Sequence, residues 1–337
     1  MAGIDLTELQ AAVTQEIFPE VQDALEYSTA LWNHLSTKGK KKQDGGAYLQ
    51  FALKALQNQS QSAIAGDSGI TDATPSQQLI PGVLYWKYNY FGVNLTLQDM
   101  NVAQGDNQKV EFATEKAKGA MADFMRSLSV QSWGTSTTNA LNLDGMQDIL
   151  AASGTSYAGV LNTTYDPAPY SATNIKNVYS PLVYTDTVVS YAALTKMIVG
   201  LMARSQQGFE KTQEFLGFCN VFVFQKILNA CQASQLLGDV AKANLGFSGF
   251  KLNGITDVYL DVNVPGTNTA GTNDNYLVMF PENVLKFYYN YGLGDKSPID
   301  GKIDIPTTVV STDRYFLTGN MVSDNRRGFV YNASFGG

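Results

Sequence analysis
The sequence predicts an α+β fold, and three observations carry the prediction. One long helical period runs over residues 107 to 131, segments of strand period stand on either side of it, and the stretch from 178 to 300 alternates strand and helix signals around an Asn253-Gly254 turn. With 337 residues and 44% hydrophobic content, the chain has the material for two linked domains or one elaborate one.

Taken in order, the first 36 residues are patterned for helices. Leu6, Leu9, Val13 and Ile17 recur at helical spacing, Pro19 interrupts, and Val21, Leu25, Ser28, Trp32 and Leu35 resume. A helix bearing Leu31, Trp32 and Leu35 needs a partner surface, and the run KGKKK at 38 to 42 detaches it from the strand region beyond, so the segment reads as an arm. Lys38, Lys40, Lys41 and Lys42 carry two readings, a nucleic-acid contact and a solvated linker; without interleaved aromatics the linker is favoured.

Residues 46 to 56 put Leu49, Phe51 and Leu53 on one face at period 2, and 84 to 97 do the same with Leu84, Trp86, Tyr88 and Tyr90. About 27 loop-like residues separate these strands, a length that compact domains keep for functional or flexible segments. The aromatic face favours a hairpin that reaches another molecule, because Tyr and Trp give large contact area for little side-chain entropy. The helix over 107 to 131 carries Val110, Ala113, Ala117, Met121, Phe124 and Leu128 as its apolar stripe. A short helix comes next, in LDGMQDIL. Beyond it, Asp186 is the expected cap of a helix bearing Val188, Tyr191, Thr195, Ile198 and Met202. FCNVFVF at 218 to 224 reads as a buried strand leading into the helix QKILNACQAS, and NYLVMF as a strand before a helix ENVLKFYY opened by Pro281. From 303 onward the chain is strand and turn.

Composition excludes several classes. A formal net charge of −7 argues against whole-surface affinity for nucleic acid, so any polyanion contact is local. The N-terminus has no export signal pattern and the longest apolar run, MIVGLMA, is far too short for a bilayer span, which gives the expectation of a soluble, unexported chain with no membrane partner. Cys219 and Cys231 are too few for a disulfide framework or a four-Cys metal site and are expected to be buried and inert. His34 is the sole histidine, so a His-based triad or multi-His metal centre is impossible. YGLGDKSP fails the phosphate-loop spacing because Asp295 stands where the last glycine is required. Asp144 and Asp148, four apart, read as solvated helix ends rather than an acid/base pair. No cofactor and no enzymatic activity are expected. Plentiful Gly, Asn, Thr and Ser, with 18 Tyr and little Lys or Glu, fit interfaces and extended β structure.

The order of parts then becomes informative. An N-arm, a long protruding hairpin, a long spine helix, a late α+β insertion and a return strand region ending in TGNMVSDNRRGFVYN together resemble the major capsid protein of tailed bacteriophages, with the Hong Kong 97 fold. The most specific pieces are VEFATEKAKGAMADFMRSLSVQSWG running into LDGMQDILAASGTSYAGV, and the terminal TGNMVSDNRRGFVYN. The resemblance implies an N-terminal arm over 1–43, an extended E-loop over 44–96, a peripheral domain over 97–177 with 301–337, and an axial domain over 178–300. It implies self-assembly as pentamers and hexamers into an icosahedral shell, a separate scaffolding protein and portal, and packaged double-stranded DNA enclosed without sequence-specific binding. The location implied is the virion, with the host cytoplasm during assembly.

Trp86, Tyr88, Tyr90, Arg326 and Arg327 are then the expected intersubunit contacts, the arginines through charge-assisted hydrogen bonds to a neighbour's carboxylates. Leu31, Trp32 and Leu35 are the expected scaffold-docking or arm contact. Some members of this family join subunits by a Lys–Asn isopeptide bond promoted by a glutamate. Lys54 or Lys87 and Asn320 or Asn325 stand at matching places, but no Glu occurs after Glu282, so non-covalent joining is expected. Two other readings remain open: an encapsulin-type nanocompartment shell of the same fold, and a virion or surface binding protein that forms a small oligomer.

Overall fold
A computed structural model describes residues 30–43, 46–54, 79–96, 106–151, 156–166, 171, 173–205, 214–233, 249–252, 256–266, 274–290, 299–306 and 310–336. The expected helices before residue 30, and most of the long polar stretch after 54, lie outside these residues. In chain order the elements are α1 (Ala30–Thr37), β1 (Lys40–Lys42), β2 (Tyr48–Lys54), β3 (Leu79–Tyr85), β4 (Lys87–Thr96) and α2 (Asp106–Trp133). Then come α3 (Met146–Leu150), β5 (Ser156–Tyr157), β6 (Val160–Leu161), α4 (Asn162–Tyr165), β7 (Leu182–Tyr184), α5 (Tyr191–Ser205), β8 (Phe215–Cys219) and α6 (Val221–Ala233). The chain closes with β9 (Gly249–Leu252), β10 (Thr256–Leu260), β11 (Asn275–Pro281), β12 (Leu285–Tyr289), β13 (Ile299–Pro306), β14 (Val310–Ser323), a 3-10 turn at Arg326–Gly328 and β15 (Val330–Phe335).

The α+β class is the one observed. The chain divides into two compact units, the first made of Met1–Ala47, Tyr85–Met146 and Lys286–Met321. Its centre is the long β14, which pairs antiparallel with β4 on one side and β13 on the other, while β12 links it to β1 in the order β1-β12-β14-β13. The 28-residue α2, about 42 Å long at 1.5 Å per residue, packs on β4. Its stripe of Ala113, Ala117, Met121, Phe124 and Leu128 is buried as the spacing predicts, with Phe124 and Phe91 at 5.0 Å between ring centroids. A side chain at Gly319 would meet the Phe287 ring at 2.5 Å, so glycine is what lets β12 approach β14.

The second unit comprises Tyr48–Leu84, Gln147–Leu285 and Val322–Gly337. Its six-stranded sheet runs β7-β15-β11-β8-β10-β9, parallel at β7/β15 and β10/β8 and antiparallel elsewhere. Leu277 and Met279 join a core with Leu194, Met197, Ile198, Val223 and Ile227 from α5 and α6. On alternate positions Phe280 lies against Phe218 at 5.6 Å and Phe329 at 4.8 Å. Both sheet faces are therefore covered, which is why these strands read as unbroken apolar runs. One amide ties the start of α6 to the sheet, Asn220 Nδ2 donating to Asn275 Oδ1 at 2.7 Å, and within the sheet Asn275 Nδ2 donates to the Phe335 carbonyl at 2.9 Å.

Several expectations need correction. Asn220 cuts the run FCNVFVF: its Oδ1 accepts the Val223 amide at 3.0 Å, a helix N-cap, so α6 starts at Val221 and the strand ends at Cys219. ENVLKFYY holds the strand β12 rather than a helix, because its backbone pairs with β1 and β14, both remote in sequence. Ser190, not Asp186, caps α5, through Ala193 N to Ser190 Oγ at 3.2 Å, and the buried stripe is Leu194, Met197, Ile198 and Leu201 while Val188 and Tyr191 stay exposed. The lysines of KGKKK are no linker, since Lys40–Lys42 form β1, paired in parallel with β12. LIPG at 79 to 82, expected as the end of the long loop, belongs instead to β3.

Candidate functional site
The second strand of the expected hairpin breaks at one residue. Up to Trp86 the even-numbered positions Ile80, Leu84 and Trp86 are buried; from Lys87 onward the odd-numbered Phe91 and Val93 are, so the inward parity switches between β3 and β4. Trp86 is 5% exposed and donates Nε1 to the Gly46 carbonyl at 3.0 Å, whereas Tyr88 and Tyr90 are 68% and 61% exposed. The expected common face of Leu84, Trp86, Tyr88 and Tyr90 is thus split: Trp86 belongs to the interior and the two tyrosines face out. Tyr90 packs laterally on Phe316 of β14 at 6.1 Å. Tyr85 is exposed as well.

The adjacent arginines also separate in role. Arg326 is 1% exposed, donates Nε to the Ile149 carbonyl at 2.8 Å and Nη2 to that of Ala151 at 2.5 Å, and lies 5.0 Å from the ring centres of both Tyr157 and Tyr179. Its partners are in its own protomer, which corrects the expected reach to a neighbour's carboxylate. Tyr157 accepts the Ser323 amide on its hydroxyl, and Tyr179 donates its own to the Tyr157 carbonyl. Burial raises the Tyr179 pKa above the usual phenol value, with Arg326 pulling against it.

Arg327 is 7% exposed, yet its Nε and Nη2 are buried without a hydrogen-bond partner. Burial holds its pKa below the usual guanidinium value, opposed by the charge of Asp166. That carboxylate is itself saturated: Oδ1 accepts the amides of Val178 and Tyr179 at 2.8 and 2.9 Å, and Oδ2 accepts the Ser180 hydroxyl. A third arginine, Arg204 of α5, donates to the carbonyls of Ser180, Arg327 and Asn174. Sequence reasoning missed Arg204 and Asp166. The available signals were a lone cation ending the apolar run MIVGLMAR and an Asp set before Pro167.

In the first unit Asp144 is buried rather than solvated. Its Oδ1 lies 3.5 Å from Lys87 Nζ and its Oδ2 accepts Asn320 Nδ2 at 2.5 Å. Lys87 Nζ also donates to the Ala140 carbonyl at 2.7 Å, and Asn320 Oδ1 accepts the amides of Asp144 and Met321. Leu31, Trp32 and Leu35 are buried too, with Trp32 edge-on to Phe287 at 5.1 Å, so the expected docking surface is part of the unit's own core. Cys219 is buried and its thiol pushed up by desolvation; Cys231's side chain lies outside the described residues. Among the described residues no cluster of His, Cys, Asp or Glu is placed to hold a metal, and no helix is long and apolar enough to cross a membrane.

No known protein-family profile matches the sequence, and no curated protein matches it. Solved structures do match. The capsid asymmetric unit of cyanophage A-1(L) superposes with a TM-score of 0.61 at 13% identity, covering 92% of this chain and 93% of that one. The capsid of a native GTA particle gives 0.55 at 7% identity over 90% and 91%, and the mature capsid of bacteriophage PhiM1 gives 0.53 at 12% over 89% and 86%. Likeness over about nine-tenths of both chains, rather than at isolated motifs, means that this chain has the Hong Kong 97-like capsid fold.

Proposed function
We propose that this chain is the major capsid protein of a tailed bacteriophage, a structural and non-enzymatic subunit that assembles as pentamers and hexamers into an icosahedral shell around double-stranded DNA. The observation that carries the proposal is the near end-to-end match with a phage capsid subunit, at a TM-score of 0.61 over 92% of the chain. The outward row of Tyr88 and Tyr90 supports it, since large exposed aromatics at a strand surface suit a protein contact. On this reading residues 44–96 form the E-loop, 97–177 with 301–337 the peripheral domain, and 178–300 the axial domain. A separate scaffolding protein and a portal serve assembly in the host cytoplasm, and the mature location is the virion.

Tyr88, Tyr90 and Arg327 are the residues we assign to neighbour contacts; Arg327 keeps two buried donors that a neighbouring carboxylate would satisfy. Joining is non-covalent on this reading, since Lys87 and Asn320 are both held by Asp144 of the same chain. The test is expression of the full chain alone, followed by size exclusion and negative-stain electron microscopy. Closed shells or rings of five and six are the expected result; a stable monomer or small trimer, even with its scaffolding partner, overturns the proposal. Shells that carry an enzyme cargo rather than DNA would identify a nanocompartment instead.

A further inference from the structure
We propose that the lysine strand β1 is a contact for the phosphate backbone of double-stranded DNA, a local basic strip on an acidic subunit. The inference rests on the shell reading for the presence of DNA. Four of the chain's 23 Lys and Arg residues fall within the five positions 38 to 42, in the sequence STKGKKKQ over 36 to 43, which has no acidic residue. Lys38, Lys41 and Lys42 are exposed and Lys40 is half-buried. The remainder of the chain carries the excess of Asp and Glu that sets the net charge at −7. A polyanion is therefore attracted to this strip and repelled by the average surface.

The strip is built, not trailing. α1 closes on itself when the amides of Lys38 and Gly39 both donate to the His34 carbonyl, and Trp32 anchors the helix on Phe287. Gly39 O then accepts the Phe287 amide, and β1 runs parallel to β12 with Lys40 beside Phe287, Lys41 beside Tyr288 and Lys42 beside Tyr289. Lys40 to Lys42 span about 7 Å at the usual strand rise, inside one Debye length of roughly 8 Å at physiological salt, so their potentials add. Fixing the backbone in a sheet removes part of the ordering cost of binding.

The strip has only Lys, a mobile point charge, rather than the planar fork that Arg presents to carboxylate and phosphate alike. It therefore suits a loose contact that tolerates any position along a charged rod better than bidentate docking to one fixed group. The neighbouring Tyr288 and Tyr289 hydroxyls are of a type that donates to phosphate, and nothing in the strip reads bases, so the contact is independent of sequence. β1 is also the terminal strand of its sheet, and lysines on such edges commonly block edge-to-edge aggregation. That role makes a different prediction, which the test separates.

The experiment compares the full-length protein with a K40Q/K41Q/K42Q variant and with a K116Q/K118Q/R126Q control, which removes the same charge from α2. Binding of a short fluorescent duplex of mixed sequence is followed by anisotropy at increasing sodium chloride, and shell formation by electron microscopy in parallel. The expected result is a wild-type affinity that falls steeply with salt and little change in the control; because alternate strand residues point to opposite faces, the slope in log K against log salt should be shallower in the β1 variant by about 0.9 to 1.8, at roughly 0.9 for each phosphate no longer neutralised. Arginine replacements K40R/K41R/K42R should retain the wild-type slope. Equal slopes in wild type and β1 variant, or an equal loss in the control, overturn the proposal. So does aggregation of the β1 variant with unchanged DNA binding, which identifies an edge guard, and so does loss of shells without any duplex binding by wild type, which identifies an acidic protein partner. Normal shells with no DNA contact reject this inference alone and leave the capsid reading intact.

Discussion
Arg326 of the second unit and the tyrosine row of the first are opposites in how completely the protomer satisfies them. Arg326 has carbonyl acceptors on one edge and two aromatic rings close to its guanidinium, all within its own chain. Tyr88 and Tyr90 present most of their surface to solvent from a strand that packs on α2. On the proposed capsid reading, the difference separates residues that serve folding from candidates for assembly: a costly side chain with partners in its own chain holds the protomer, and an exposed aromatic is available to a neighbour.

The sharpest break of that contrast is Arg326→Ala. It strands the carbonyls of Ile149 and Ala151 and removes two ring contacts, a loss of about 5 kcal/mol, read as a fall in the denaturant midpoint of the isolated chain. Normal stability with failed assembly would instead move Arg326 to the interface side. Trp86→Ala comes next, at roughly 3 to 5 kcal/mol for a buried Trp. The double variant Tyr88→Ala/Tyr90→Ala should shift stability by no more than about 0.5 kcal/mol and yet weaken shells, seen as dissociation at lower denaturant than wild type.

A third comparison uses pH. The Tyr179 phenol has a folded pKa raised above 10.0, chiefly by burial. A raised phenol favours the folded state while it is protonated, so its contribution is intact below the unfolded value and is lost as pH rises through the folded one. The denaturant midpoint should begin to decline above about pH 9, where the Cys219 thiol, also raised by burial, starts to ionise in the unfolded chain, and Tyr179→Phe should flatten only the part of the decline above about pH 10. The smallest effect is expected at Arg327→Met. Removing a buried charge with unsatisfied donors should leave the protomer within about 1 kcal/mol of wild type or more stable, while shells lose cohesion. Strong destabilisation of the isolated chain would place Arg327 beside Arg326 as a folding residue.

What could be read from sequence depends on the range of the forces involved. The α2 stripe was legible because a period sustained over about seven turns has no competing reading. FCNVFVF and ENVLKFYY were not, because short apolar runs fit a helix or a strand equally well, and the deciding partners, the amide captured by Asn220 and the distant β1 and β14, lie in the fold. The parity switch at Trp86 leaves no trace in a pattern of alternating large residues. The arginine junction gathers Ile149, Tyr157, Asp166, Tyr179, Arg204 and Arg326 across a separation of 177 positions, so the sequence shows the two cations at its end and hides everything that encloses them.

The amide relay from Asn220 through Asn275 to Phe335 has a chemical direction. Each Asn passes its NH2 forward and receives with its carbonyl, so both orientations are set by the chain of donors. Hydrolysis of either amide to the isosteric acid, the slow ageing reaction of asparagine, changes almost no volume but sets a negative oxygen against another oxygen. At Asn275 the victim is the carbonyl that holds the end of β15, and at Asn220 it is Asn275 itself. Volume alone therefore does not specify these two positions: the end of β15 is held only while both buried side chains remain amides.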